Sequence, residues 1–473
     1  MSIVSRPSSG ASMLGGSITV PPNPCAHVPA RPVDAWTGEP GTAGRVAVVG
    51  AGKMGLPLAA QFASHGWRVI AVDVNPTVVD AINAGRSHVG EEPGLAELVA
   101  RVHAEGRLQA TLDAAAAARA ADVVVLIVPV MLDADRQPDY RYMDPAVASI
   151  APGIHAGSTV IFETTLPIGD TRHRFAPALE RASGLAADRD FFVAFSPERL
   201  FSGAVLANLA AYSKLVGGIG AASTDRAARF YASVLDAEVV AMSSSEAAEF
   251  SKLADTTYRD VNIALANEFA RAADAHGIDV TEVIAAANSQ PYSHIHQPGI
   301  GVGGHCIPVY PHLLLARAPG LRLVETAREV NDEQTGRAVA TLEALLGDLG
   351  GLPVLVLGVT YREGVKELAY SRALALIDEL RAAGADVAAY DPLMEPAEIE
   401  ALGARAWIWG EPGSFRVVVT QTADGAFTGL DPAWFPELAA VYDGRNSLRS
   451  LALPDGVAYV GVGVQAATRS RPA

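Results

Sequence analysis

The chain has 473 residues, half of them hydrophobic, so more than one core can be buried and two or three domains are expected. Its formal charge of −16 argues against nucleic-acid or membrane-surface binding, and no apolar run reaches the ~20 residues that span a bilayer. These features favour a soluble enzyme, and two cysteines in unlike surroundings favour a reducing cytoplasm.

Residues 1–44 are rich in Ser, Gly and Pro and lack the basic start and apolar stretch of a signal peptide, so they read as a disordered extension. Ordered structure is expected from residue 45. A strand at 45–50 runs into a turn carrying Gly50, Gly52 and Gly55, with Lys53 and Met54 inside it. A helix over 56–65 and a strand over 67–73 follow, ending on Asp73. Strand, glycine turn, helix, strand and acid in that order point to a dinucleotide site. Gly50 allows the tight turn, Gly52 lets backbone approach a pyrophosphate, and Gly55 lets the helix pack on the sheet. The helix N-terminus favours the phosphate charge. Asp73 would accept hydrogen bonds from ribose hydroxyls and repel a 2′-phosphate, which favours NAD over NADP.

Further strands are expected at 121–129, 158–163, 191–195 and 214–218. The C-terminal ends of strands in a doubly wound sheet line the ligand crevice. Val128 and Pro129 therefore fall on the cofactor side, and Thr165, Glu198 and Arg199 fall where chemistry would occur. Residues 243–277 read as one long helix. Phe250, Leu253, Thr257, Val261 and Leu265 form one stripe on it at three- and four-residue steps, while Lys252, Thr256 and Arg259 lie on another face. Such a helix either spans two domains or forms a dimer interface.

A second block begins near residue 351, with strands at 354–358, 386–391, 416–420 and 440–446 and a helix over 371–383. The fold class is α/β: two doubly wound Rossmann-like domains joined by a central helical domain with one long helix. The expected boundaries are an extension at 1–44, a NAD-binding domain at 45–220, a central helical domain at 221–340 and a substrate domain at 341–473.

Between helix and second block lies a glycine-rich loop, residues 299–308, that carries Cys306. A thiol among glycines is either a nucleophile with room for a substrate carbon or a small buried hydrophobe. The other cysteine, Cys25, lies in the N-terminal tail, so there is no disulfide framework. The eleven histidines show no metal-ligand spacing, and no metal is expected.

Several motifs, in this order, resemble the UDP-glucose/GDP-mannose dehydrogenase family over roughly residues 46–463, nearest to the branch oxidising UDP-N-acetylhexosamines. They are the Gly50–Pro57 turn, Glu163–Pro167, Ser196–Leu200, Glu249–Lys252, Tyr258–Ile263, Pro298–Pro308, Asn331–Asp332, Tyr390–Pro392 and Asp443–Asn446. The resemblance implies oxidation of a primary alcohol to a carboxylate by two hydride transfers to NAD. It implies that Cys306 adds to the intermediate aldehyde and passes through a thiohemiacetal to a thioester. It makes Glu198 the acid/base residue that activates water, and Lys252 the cation that stabilises oxyanion character. It also implies a homodimer built on the central helix, and cofactor contacts through Thr165.

This chain departs from the family pattern where substrate is held. Tyr310 stands where the family has an aspartate, and Thr256 where it has an asparagine. Tyr292 replaces an arginine that reaches the substrate. Ala369 replaces another, and Arg372 stands in place of a proline, where it would supply the lost cation from a nearby position. Arg362 keeps the charge of the usual lysine. Arg259, Gly303 and Arg445 complete the expected substrate set with Glu198, Arg199 and Lys252. Losing two phosphate-directed arginines removes charge-assisted hydrogen bonds of ~1.5–3 kcal/mol each. The expectation is an altered substrate: an unusual nucleotide sugar, or a nucleoside or glycoside. The alternatives are a two-electron alcohol dehydrogenase that stops at the aldehyde and a non-catalytic nucleotide-sensing protein.

Overall fold

A computed structural model describes residues 44–90, 92–200 and 203–468. The expected extension at 1–44, apart from Gly44, and Cys25 lie outside the described residues.

The first domain is an eight-stranded sheet. From edge to edge its strands begin at Val239, Lys214, Phe192, Thr159, Val123, Arg45, Arg68 and Leu108. All neighbours are parallel except the pair starting at Phe192 and Lys214. The central strands Arg45–Val49, Val123–Leu126 and Thr159–Phe162 are almost wholly apolar because helices cover the sheet on both faces. The expected boundary at 220 is too early. Helix Ala221–Val234 and strand Val239–Ala241 both pack on this sheet, so the domain runs to Ala241.

The second sheet has seven strands, beginning in spatial order at Arg405, Asp386, Pro353, Val417, Ala440, Ala458 and Val464. Only the last pair is antiparallel. In each sheet the strand order reverses beside one central strand, Arg45–Val49 in the first and Pro353–Leu357 in the second. A glycine follows each of them. Gly50 has φ +96°, and a Cβ there would lie 2.9 Å from the Ile127 carbonyl oxygen. Gly358 has φ +88°, and a Cβ there would meet the Thr422 hydroxyl. Both crevices therefore open at the C-terminal ends of the strands.

The two domains are bridged by helix Ser245–His276. The Ser244 hydroxyl caps its start and Gly277, with φ +69°, ends it. The expected apolar stripe divides: Leu253 and Thr257 are buried, whereas Phe250 and Leu265 are 47% and 44% exposed. The inward face is instead polar. Asp260 is fully buried and pairs with Arg328 at 2.5 Å, and Asn331 donates to Asp260 at 2.8 Å. Asn331 in turn accepts from Asn267 at 3.0 Å. Helix Arg322–Asp332, which supplies Arg328 and Asn331, runs along the long helix and brings these partners to it.

Candidate active site

The cysteine loop lies between helices Val280–Ala287 and Tyr310–Leu315. Its first part is held from two sides. Gly299 donates its N–H to Asn267 of the long helix at 2.9 Å, and Ile300 donates to the Gly444 carbonyl at 3.2 Å. Its glycines serve close packing against the C-terminal domain. A Cβ on Gly303 would lie 2.9 Å from the Tyr370 carbonyl oxygen, and one on Gly304 would lie 2.8 Å from the Tyr361 ring. The Cys306 carbonyl then accepts from the Tyr310 N–H at 2.9 Å, which turns the chain into the next helix.

Cys306 is partly buried. The Tyr310 hydroxyl lies beside Cys306 and Thr165, and burial pushes it well above its ordinary range. Lys252 Nζ lies 5.7 Å from the centre of the Tyr310 ring. Lys252 is 6% exposed; burial lowers its pKa, opposed by Cys306, Glu198 and Asp255 nearby. Glu198 accepts from the Leu200 N–H at 2.8 Å. Burial raises its carboxyl to about 7 against the pull of Lys214 and Lys252, and the charge of Glu163 raises it further. Thiol, lysine, carboxyl, Tyr310 and Thr165 thus meet at one place, from the cysteine loop, the long helix and two strand ends of the first sheet.

Other expected site residues sit differently. Thr256 is buried, and its hydroxyl donates back to the Lys252 carbonyl at 3.2 Å, so it braces the helix. Arg259 pairs with Asp255 at 3.6 Å and lowers the pKa of His296, which burial has already depressed. The Arg199 guanidinium donates to the Ser213 carbonyl. Arg445 donates to the carbonyls of Gln421 and Gly301, at 2.8 and 3.3 Å. Arg372 donates to the Asp332 carbonyl at 2.7 Å, and its stem lies against Gly301. Arg445 and Arg372 therefore hold the cysteine loop from behind. Tyr292 is 83% exposed at a turn and is not gathered with the others. Arg362 lies just past the second sheet's central strand, with its charge 6.0 Å from the Tyr361 ring centre.

The cofactor crevice fits a dinucleotide. A Cβ on Gly55 would lie 1.8 Å from the Gly50 carbonyl oxygen, so the turn closes tightly. A Cβ on Gly52 would meet nothing within 4 Å, which leaves that backbone open to a ligand. Helix Gly55–Ser64 begins there, with Lys53 and Met54 just before it. Asp73 accepts from the Ala51 and Asn75 N–H groups at 3.0 and 2.9 Å, which fixes its carboxylate at the turn. Thr164 donates to the Val128 carbonyl at 2.6 Å, locking the second wall, where Pro129 is exposed.

The sequence matches three descriptions of one family. The UDP-glucose/GDP-mannose dehydrogenase family NAD binding domain covers residues 44–235, the central domain 246–333 and the UDP binding domain 355–450. The chain belongs to the UDP-glucose/GDP-mannose dehydrogenase family. It is accordingly an NAD-dependent oxidoreductase of the nucleotide-sugar dehydrogenase type. It is 36% identical to a UDP-N-acetyl-D-mannosamine dehydrogenase of Pyrococcus horikoshii, over 89% of this chain and 99% of that protein. An Escherichia coli (strain K12) UDP-N-acetyl-D-mannosamine dehydrogenase is 35% identical, over 70% of this chain and 81% of that protein. The solved Pyrococcus horikoshii UDP-D-ManNAc dehydrogenase superposes with a TM-score of 0.79 at 31% identity, over 89% of this chain and 99% of that chain. A UDP-glucose dehydrogenase structure from Pyrobaculum islandicum gives 0.79 at 28% identity, over 90% and 99%.

Four residues near the thiol were not singled out from sequence for a role in the site. Tyr361 covers Gly304, and Glu367 lies 3.4 Å from His305 and 4.0 Å from Lys53. Lys214 and Tyr231 sit behind Glu198, Lys214 within a strand and Tyr231 within a helix, where ordinary core periodicity hides them. Among the described residues no helix is long and apolar enough to cross a membrane.

Proposed function

We propose that this enzyme oxidises the primary alcohol of a UDP-N-acetylhexosamine-type nucleotide sugar to the carboxylate, with Cys306 carrying the carbon between the two oxidations. The observation that supports it best is the meeting of Cys306, Lys252, Glu198, Tyr310 and Thr165 at one place between the two sheets. Gly50, Gly52 and Gly55, with Asp73 and Val128, would hold NAD, which when bound takes up the hydride at each oxidation. Lys252 presents a buried positive charge where the alcohol oxygen becomes anionic and again where the aldehyde is attacked. The sulfur of Cys306 bonds to the aldehyde carbon as the carbonyl π bond opens, and the thiol proton passes to the former carbonyl oxygen, giving the thiohemiacetal. After the second oxidation that carbon is a thioester. Glu198 takes a proton from water, the water oxygen bonds to the carbon, and the carbon–sulfur bond breaks to return the thiol. A reducing cytoplasm would keep Cys306 free for this cycle.

A second reading rests on Tyr310. Burial keeps its hydroxyl protonated, so it supplies no base beside the thiol. Thioester cleavage would then rely on Glu198 alone, and in this reading the reaction stops at the aldehyde. Stoichiometry on a panel of UDP-sugars separates the two. Two NADH per carboxylate, lost in Cys306→Ala, supports the first reading; one NADH per aldehyde supports the second. No turnover of any nucleotide sugar would sink both.

A homodimer through the long helix is part of the proposal. Phe250, Tyr258, Leu265 and Phe269 lie along one outward face and are each more than a third exposed. Sedimentation of the protein and of a Phe250→Glu, Leu265→Glu variant tests it: a monomeric wild-type protein would rule the dimer out.

A further inference from the structure

Behind Glu198 lies a second buried carboxylate, Glu163, with one lysine between the two. Lys214 Nζ is 3.1 Å from Glu163 Oε2 and 3.8 Å from Glu198 Oε2. Glu163 is completely buried, and Lys214 is 6% exposed. The Tyr231 hydroxyl donates to the other oxygen of Glu163, and the Tyr231 ring centre is 4.8 Å from Lys214 Nζ. Strand Thr159–Phe162 leads into Glu163, strand Phe192–Phe195 leads towards Glu198, and Lys214 opens the next strand. Three adjacent strands thus place these groups side by side at one edge of the cleft.

Tyr231 and Lys214 thus hold Glu163 from its two oxygens, one each. We propose that Lys214 and Glu163 are positioning residues for the reaction: as a buried ion pair behind Glu198, they set the pH at which Glu198 exchanges its proton. This rests on the acid/base role of Glu198 proposed above. The two partners act in opposite senses. Lys214 draws Glu198 towards the anion, and Glu163 both repels that anion and competes for the lysine. The other groups facing Glu198 are Lys252 from the long helix, Tyr310 beside the thiol and the hydroxyl of Tyr231. Their order of influence agrees with the geometry: after burial, Lys214 affects the Glu198 carboxyl most, then Glu163.

The test is the pH profile of kcat/KM in the wild-type enzyme and four variants, each as the intact chain. Glu163→Gln frees Lys214 for Glu198, and the acid-side midpoint is expected to fall by about one pH unit. Lys214→Met is expected to raise it by a similar amount. Because Lys214→Met leaves Glu163 buried and unpaired, the double variant Lys214→Met, Glu163→Gln is measured beside it. Its midpoint is expected above that of Glu163→Gln, which isolates the lysine even if the single variant does not fold. Glu198→Gln is the reference. If it keeps the wild-type acid limb, the acid/base role of Glu198 is wrong. If it loses that limb while the Glu163 and Lys214 variants share the wild-type midpoint, the acid/base role stands and this proposal is overturned.

Discussion

His305 Nε2 lies 3.4 Å from Glu367 Oε2, next door in sequence to the thiol and across a domain boundary from it. The same carboxylate oxygen is 4.0 Å from Lys53 of the cofactor turn. One side chain of the C-terminal domain thereby touches the cysteine loop and the glycine turn together. Glu367→Gln keeps the shape and removes the charge. Both partners are close to half exposed, so the effect is modest, up to about 1 kcal/mol or a roughly fivefold fall in kcat/KM. Alkylation of Cys306 by iodoacetamide should quicken as the loop loosens, and an unchanged alkylation rate would count against the contact.

Gly52 and Gly55 should fail differently. Gly55→Ala forces a methyl into the Gly50 carbonyl, so the protein loses thermal stability as well as cofactor binding. Gly52→Ala meets no protein atom and should melt like the wild type. Its methyl points into the space left for a ligand, so NAD affinity should fall about tenfold or more, equivalent to ~1.4 kcal/mol. Calorimetric titration with NAD, alongside thermal melts, reads both.

Tyr310→Phe retains the ring against Lys252 and deletes a hydroxyl that lies beside Thr165 and Cys306 and would hydrogen-bond there during the reaction. Loss of one such bond corresponds to ~1–1.5 kcal/mol, about a tenfold fall in kcat. NAD affinity should not change. If kcat is also unchanged, the hydroxyl has no part in the reaction. Tyr310→Asp places a carboxylate beside Lys252 and should raise the lysine pKa; a greater share of acid over aldehyde in the product would tie hydrolysis to that position.

The pH profile follows from two shifts. Glu198, raised to about 7 by burial, must be deprotonated to accept a proton from water. Activity on the acid side therefore climbs through about pH 7 instead of the usual carboxylate range. Lys252 must be charged, and burial lowers its pKa. The alkaline limb therefore falls below the ordinary lysine range. A profile flat from pH 5 to 9 would contradict both assignments.

Arg328 and Asp260 form a buried pair that ties helix Arg322–Asp332 to the long helix. Arg328→Met strands the Asp260 carboxylate, a loss of ~3–5 kcal/mol. Thermal melting should drop by several degrees, whereas an Asp260→Asn, Arg328→Met pair should recover much of the loss. Equal damage in single and double variants would mean that the charge is not the cause.

The glycine turn and the strands of both sheets were legible because their signals are local: a turn, an apolar run and an acid at fixed spacing. The stripe on the long helix was misread because its neighbours are distant in sequence. Asp260 and Asn267 point inward only because Arg328 and Asn331 come back to meet them. Lys214 went unnoticed for a related reason. It begins a strand, and nothing in the strand indicates that its side chain enters a cleft beside Glu163 and Glu198. Arg445 and Arg372 are expected at the substrate from the family pattern, and the pattern carries no sign that their guanidinium groups also bond backbone carbonyls around the cysteine loop.

The backbone of the cysteine loop is bonded to the long helix and to the C-terminal domain, through Asn267, Gly444 and Arg445. Its reach to the first domain is through side chains, Tyr310 to Thr165 and Glu367 to Lys53. A hinge that swung the first domain away as a door, with the thiol staying on the frame, would break these contacts and the Arg317–Asp170 pair but leave the backbone bonds of the loop intact. Coenzyme could then be exchanged without letting go of a carbon already bound to sulfur, so one substrate could stay in place through both oxidations.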